Sequence, residues 1–177
     1  MKQIIIVLFV CAIYIMPLWS QEHHGHHHER NEIGISGGSV YVPDHKAWGG
    51  SVHVHYFRTL NPHSKWSWGT NLEQVWDQDH GHFTVGAGLK YQIIDRLSVG
   101  LLPGITFHSH DALDYDHGHQ HHHNPDDSGI KSHFSIHVEA VYDLFHLGDF
   151  HLGPVIDYSW TKEDAHFMIG VHAAYCF

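Results

Sequence analysis

Twenty-four histidines stand in this chain of 177 residues, and half of them crowd into two stretches. The first is Gln21-Glu22-His23-His24-Gly25-His26-His27-His28-Glu29. The second begins with His108-Ser109-His110, continues through Asp116-His117-Gly118-His119-Gln120-His121-His122-His123, and closes on Asp126-Asp127. Neutral imidazole is a ligand for zinc, nickel and copper(II), and adjacent carboxylates add charge or complete a coordination shell. A His-rich tract can offer several nitrogens to one ion without a preformed pocket. The candidate ligands are therefore His23, His24, His26, His27, His28, His108, His110, His117, His119, His121, His122 and His123. No fixed tetrahedral spacing runs through them, which argues against a structural zinc site. No cofactor is required by any motif, and the ligand implied is a transition-metal ion whose identity the residues leave open. The plain alternative is a solvated low-complexity segment with incidental affinity.

Other chemistries find little support. The balance of 9 Lys+Arg against 19 Asp+Glu gives a formal charge of −10, which disfavours nucleic acid as a partner because phosphates call for a basic face. The chain contains no Walker loop, dinucleotide fingerprint or HExxH motif, and it reads as a non-enzyme. Charged residues make up only 16% and aromatics 13%, a composition short of charge for a soluble domain of this size.

The elements that must carry the tracts follow from hydropathy. Met1-Lys2, the apolar run Ile4–Leu18 and Ser20 predict an export signal over residues 1–20, because the run is shorter than the roughly 20 residues of a spanning helix. A His-rich tail over 21–31 follows. Cleavage near Ser20 would leave Cys176 as the sole cysteine, which excludes an internal disulfide.

From Ile33 onward, apolar residues alternate with polar or small ones. Eight segments are predicted, at approximately 32–42, 48–58, 65–76, 82–93, 97–107, 132–144, 150–160 and 164–177. Each is about as long as a tilted bilayer-crossing strand, roughly 9–11 residues. Turn chemistry separates them at Pro43-Asp44, Asn61-Pro62, Asp79-His80-Gly81, Ile94-Asp95-Arg96, Gly148-Asp149 and Lys162-Glu163. The one long connection, 108–131, holds the second His tract.

The faces are distinct. Phe167, Ile169, Val171, Ala173, Tyr175 and Phe177 oppose His166, Met168, Gly170, His172, Ala174 and Cys176. Phe83, Val85, Ala87, Leu89, Tyr91 and Ile93 likewise oppose His82, Thr84, Gly86, Gly88, Lys90 and Gln92. The apolar faces end in aromatics such as Tyr142, Tyr158, Trp160, Tyr175 and Phe177, while the opposite faces are rich in Gly, Ser and His. That arrangement fits lipid outside and a polar lumen inside. The lumen candidates are His53, His55, Glu73, Lys90, His137, Glu139, Asp157 and His172, and the plain expectation is that they satisfy one another. Pro103 and Pro154 fall mid-strand, where each removes a ladder donor; a bulge is one way to absorb them.

A terminal Phe177 preceded by aromatic or apolar residues at alternate positions resembles the assembly signal of bacterial outer-membrane β-barrels. The resemblance covers Ile33 to Phe177 and implies a small, all-β, eight-stranded antiparallel up-and-down barrel over 32–177, similar to the transmembrane domain of outer-membrane protein A. It implies a bacterial outer-membrane location, lipid as the surrounding partner, the N-terminus and short turns in the periplasm, and the 108–131 loop outside. An eight-stranded interior is filled by its own side chains, so a metal ion captured by the His-rich segments would pass to a separate transporter. The competing expectation is a structural or adhesive barrel whose tracts are incidental or respond to acid. A third expectation is a lipid-modifying barrel. His133 and Ser135 resemble the His-x-Ser of lipid A deacylases, but Ile136 stands where that family has Asn, and the pair lies on the face opposite Phe134.

Overall fold

The computed structural model describes residues 31–44, 46–76, 81–108, 131–162 and 164–177. Nine strands occupy most of them: β1 (Asn31–Val42), β2 (Ala47–Thr59), β3 (Trp66–Trp76), β4 (Gly81–Ile94), β5 (Leu97–His108), β6 (Lys131–Tyr142), β7 (Phe145–Leu147), β8 (Phe150–Thr161) and β9 (Ala165–Cys176). Every pairing is antiparallel, each long strand pairs with its neighbours in sequence, and β1 pairs with β9. The sheet therefore closes as an eight-stranded barrel. β7 is a three-residue stretch on the same edge of β8 as β6, and it prolongs the β6–β8 ladder beyond Val141↔Val155 as part of the same stave.

Closure answers a physical demand. Lipid offers no partner for backbone N–H and C=O groups, so a spanning sheet must have no open edge. The seam between β1 and β9 runs from Glu32↔Cys176 to Tyr41↔Phe167. At its end Asn31 and Phe177 exchange two backbone hydrogen bonds of 2.9 Å. Near its middle Gly38 and Gly170 are directly opposed, and a Cβ built on Gly38 would lie 2.6 Å from the Gly170 Cα. Only glycine permits that approach.

The predicted alternation fixes inside and outside. Ile156, Ile169, Val171, Leu101 and Ile105 are exposed on the outer surface. Trp48, Trp76 and Trp160 lie toward one rim of this apolar belt, and Trp66, Tyr142 and Tyr175 toward the other. The inner surface carries Ser36, Ser51, Asn71, Thr84, Thr106, Ser135 and Ser159, all buried, beside the charged groups. Val40, Val42, Val75, Val141, Val155 and Met168 form a modest apolar cluster among the inward-facing residues. This polarity is the reverse of a soluble sandwich.

Both mid-strand prolines face outward. Pro103 pairs in register with Ile136, and Pro154 with Val171. The ladders need no bulge to accommodate them. The register shift that does occur lies between Gln92 and Ile94, beside the β4–β5 turn. Segment six ends earlier than expected, at Tyr142, and the chain then forms β7 before turning at Gly148, whose φ of 64° suits a residue without Cβ.

Both strand termini and the turns at 60–65, 95–96 and 143–149 lie at one end of the barrel, called here the terminal end. The strand ends Val42, Ala47, Trp76, Gly81, His108, Lys131, Thr161 and Ala165 lie at the other, the loop end.

Candidate functional site in the barrel lumen

Strand parity places every predicted lumen residue where it was expected. His53, His55, Glu73, His137, Glu139, Asp157 and His172 are all buried inside, and Lys90 is mostly so. Glu32, His82 and His166 join them inside, beyond the eight lumen candidates named from the sequence. His82 and His166 sit on the polar faces of their strands, so parity was the available signal. Glu32 shares its face with Gly34 and Ser36 at the start of β1.

At the terminal end Glu32 forms an ion pair with Lys90 and receives His55 Nε2 at 3.2 Å. The Lys90 ammonium also lies 4.7 Å from the centre of the Phe57 ring, an attractive cation–π placement. The His55 ring stacks on His172, and His172 Nδ1 is 3.0 Å from Ser36 Oγ. Below this group a cavity of about 430 Å³ opens between the turns, bordered by Glu32, Lys90, Asp143, His146, His151 and His172.

The middle of the lumen is more densely charged. His53 Nε2 lies 3.0 Å from Glu139 Oε2. His53 and Glu73 are cross-strand partners on β2 and β3, as are Glu139 and Asp157 on β6 and β8. Glu73 Oε1 accepts a 2.8 Å hydrogen bond from Ser51. On its far side Glu73 Oε2 faces His137 Nδ1 at 3.5 Å, and His137 Nδ1 also faces Asp157 Oδ1 at 3.4 Å. Buried charges of this kind survive only when paired; Glu139 and Asp157 stand opposite each other in the ladder, and each has an imidazole neighbour, His53 for Glu139 and His137 for Asp157.

Toward the loop end the lumen becomes a series of imidazoles. His166 Nε2 stands 3.6 Å from Glu73 Oε1. Its ring is 5.1 Å from that of His82, which is 5.2 Å from His108, which is 5.4 Å from His133. Thr84 and Thr106 hydrogen bond at 2.8 Å beneath them. His133 and Ser135 both face this interior rather than lipid.

Four trios of potential ligands have donor atoms within 4.8 Å of one another: Glu32, His55 and His172; His53, His55 and Glu139; Glu73, His82 and His166; Glu73, His137 and Asp157. Of the tract residues proposed as metal ligands, the structure places His108 alone, at the loop end of β5. His23, His24, His26, His27, His28, His110, His117, His119, His121, His122 and His123 lie outside the described residues. So do the predicted export signal and all of the tail but Asn31. The described residues thus add something the tracts did not announce: a second population of histidines, inside the barrel.

No protein-family model matches the chain, and no curated protein matches it. Solved structures do. Neisserial surface protein A aligns over 85% of this chain and 97% of its own, at a TM-score of 0.56 and 10% identity. Ail, the attachment invasion locus protein of Yersinia pestis, aligns over 84% and 99%, at a TM-score of 0.53 and 16% identity. A designed transmembrane β-barrel aligns over 82% and 95%, at a TM-score of 0.50 and 16% identity. Ail has also been solved with the heparin analogue sucrose octasulfate. At these identities the likeness is one of fold. Together with the exposed apolar belt, it places the chain in the bacterial outer membrane. The narrower resemblance to outer-membrane protein A rests on sequence pattern alone.

Proposed function

We propose that this outer-membrane barrel binds and buffers transition-metal ions through its histidine-rich segments. The observation that carries the reading is the cluster of His82, His108 and His133 at the loop end. His108 is the last residue of β5, and β6 resumes at Lys131 with His133 two residues on. The tract containing His110, His117, His119, His121, His122 and His123 is therefore tethered at both ends to a lumen mouth already lined by imidazoles. Such a mouth extends the ligand set of the tract, and imidazole is a donor common to zinc, nickel and copper(II). The metal is bound cargo, not a catalytic centre, and the protein is not an enzyme in this reading. With the lumen occupied by side chains, onward delivery falls to a separate transporter.

Calorimetric titration of the whole protein in detergent micelles with zinc, nickel and copper(II) tests this. Replacing His117, His119, His121, His122 and His123 by Asn removes one class of sites and leaves the barrel folded. An unchanged number of sites would remove the tract from the reading. Loss of the sites without any change in growth under metal limitation or excess would favour a structural or adhesive barrel, the role suggested by the likeness to Ail.

A further inference from the structure

Three atoms from β3, β6 and β8 converge deep in the lumen: Glu73 Oε2, His137 Nδ1 and Asp157 Oδ1. Their residues are 0%, 0% and 1% exposed, so water does not share the load of solvating them. None of the three atoms has a hydrogen bond within the described residues. The other ring nitrogen of His137 lies 3.2 Å from Ser159 Oγ. When Nε2 carries the hydrogen and donates it to that hydroxyl, Nδ1 presents a lone pair to two carboxylate oxygens.

Three converging lone pairs in a dry interior call for a proton or a metal ion between them. The proton could sit on Nδ1 or on a carboxyl oxygen, and either would draw its acceptor into a short hydrogen bond. The distances separate proton from metal. A charge-assisted N–H···O bond closes to about 2.7–2.9 Å. Two ligands of one tetrahedral ion, each bonded at about 2.0–2.2 Å, stand about 3.4 Å apart along the tetrahedron's edge. The observed separations are 3.5 and 3.4 Å.

We infer that Glu73, His137 and Asp157 hold one divalent transition-metal ion inside the barrel, at a site distinct from the His-rich tracts. One imidazole with two carboxylates suits zinc, and also iron(II) or manganese(II). The supporting contacts fit a ligand set. Ser159 orients the imidazole, and Ser51 holds the opposite oxygen of Glu73 at 2.8 Å. Partners of this kind fix the direction of metal ligands. The site also has an approach. His166 faces the second oxygen of Glu73, and His82 stands next toward the loop end. An ion entering there moves between imidazoles one ring contact at a time. This site goes beyond the proposed role of the tracts and stands or falls separately from it.

The test uses the full chain with His23, His24, His26, His27, His28, His110, His117, His119, His121, His122 and His123 all replaced by Asn. It is refolded in detergent micelles, exposed to zinc and desalted, and its metal is counted by atomic emission. One zinc per chain should remain. Asp157→Asn in the same background should lose that zinc while keeping the heat-modifiable gel mobility of a folded barrel. A tract-free chain that retains no zinc overturns the inference, as does an Asp157→Asn variant that retains all of it. Should Asp157→Asn fail to fold, cobalt(II) loaded into the tract-free parent decides the matter. Intense visible bands of a four-coordinate nitrogen–oxygen site are expected, and their absence is equally fatal.

Discussion

His55 and His172 stack over Gly34, their ring centres 5.0 Å apart and their planes within 7° of parallel. Gly34 lies on β1 between the strands that carry them. A Cβ at that position would come within 2.7 Å of His55 Cε1 and 3.0 Å of His172 Cε1. The glycine thus makes room for the two rings, and through His55 it keeps Glu32 engaged. Gly34→Val should overpack this end of the lumen and cost about 1–3 kcal/mol, the usual range for such insertions. Urea unfolding in lipid vesicles measures it. A variant as stable as the parent would mean that the stack can move aside freely.

The outer belt gives a second expectation. Ile156 is 56% exposed and lies between Ala140 and Ile169 in the ladders. Arginine there would face hydrocarbon, and at mid-bilayer depth that costs about 2–4 kcal/mol. The same unfolding measurement should show a loss of this size for Ile156→Arg. No loss would argue that the apolar face meets something other than lipid.

Phe177 contributes to closure through its backbone, which is paired with Asn31, while its ring remains on the outside. Phe177→Asp should therefore cut the amount of membrane-inserted protein severalfold with less effect on barrels already folded. Membrane fractionation with heat-modifiable mobility reads the first effect, and refolding from urea into micelles reads the second. Normal insertion of the variant would detach the terminal aromatic from assembly.

Orientation is open to a direct trial. With the terminal end in the periplasm, the 108–131 connection faces the medium. A nonspecific protease added to intact cells should cut there before it cuts any strand. Protection in intact cells followed by cleavage after lysis would turn the barrel over.

Metal capture by the tracts should depend on acidity in one direction. Imidazoles with an ordinary pKa of about 6.5 gain a proton as the pH falls, and that proton competes with the ion for the same lone pair. Affinity for zinc should hold at neutral pH and decline below about pH 6. Titrations at two pH values check this. Constant affinity across that interval would point to carboxylates as the main ligands.

Much of this architecture is legible in the sequence because lipid and lumen demand opposite polarities of adjacent residues. In β6 the run from His133 to Val141 shows both faces without ambiguity, and parity alone sends His137 and Glu139 inward. β7 is another matter. Phe145, His146 and Leu147 continue the apolar character of the segment before them, and three residues are too few to display a period. The partnerships inside the lumen are also hidden. Parity says that Glu73, His137 and Asp157 point inward, but which acid meets which imidazole depends on strand tilt and stagger. Residues 73 and 137 are far apart in the chain and meet across the barrel. The His tracts present the opposite case: obvious in composition, yet with no periodic pattern from which geometry could be derived.

The seam between Asn31 and Phe177 has a topological consequence. Because the first and last strands are hydrogen-bonded neighbours, the ladder is a ring in which the chain's ends are one gap among several at the same rim. Joining those ends through a short linker and reopening the backbone in the 143–149 turn would preserve every long-strand pairing while moving Phe177 to the interior of the chain. Such a circular permutant asks whether the barrel needs β9 at the end of the chain or only beside β1.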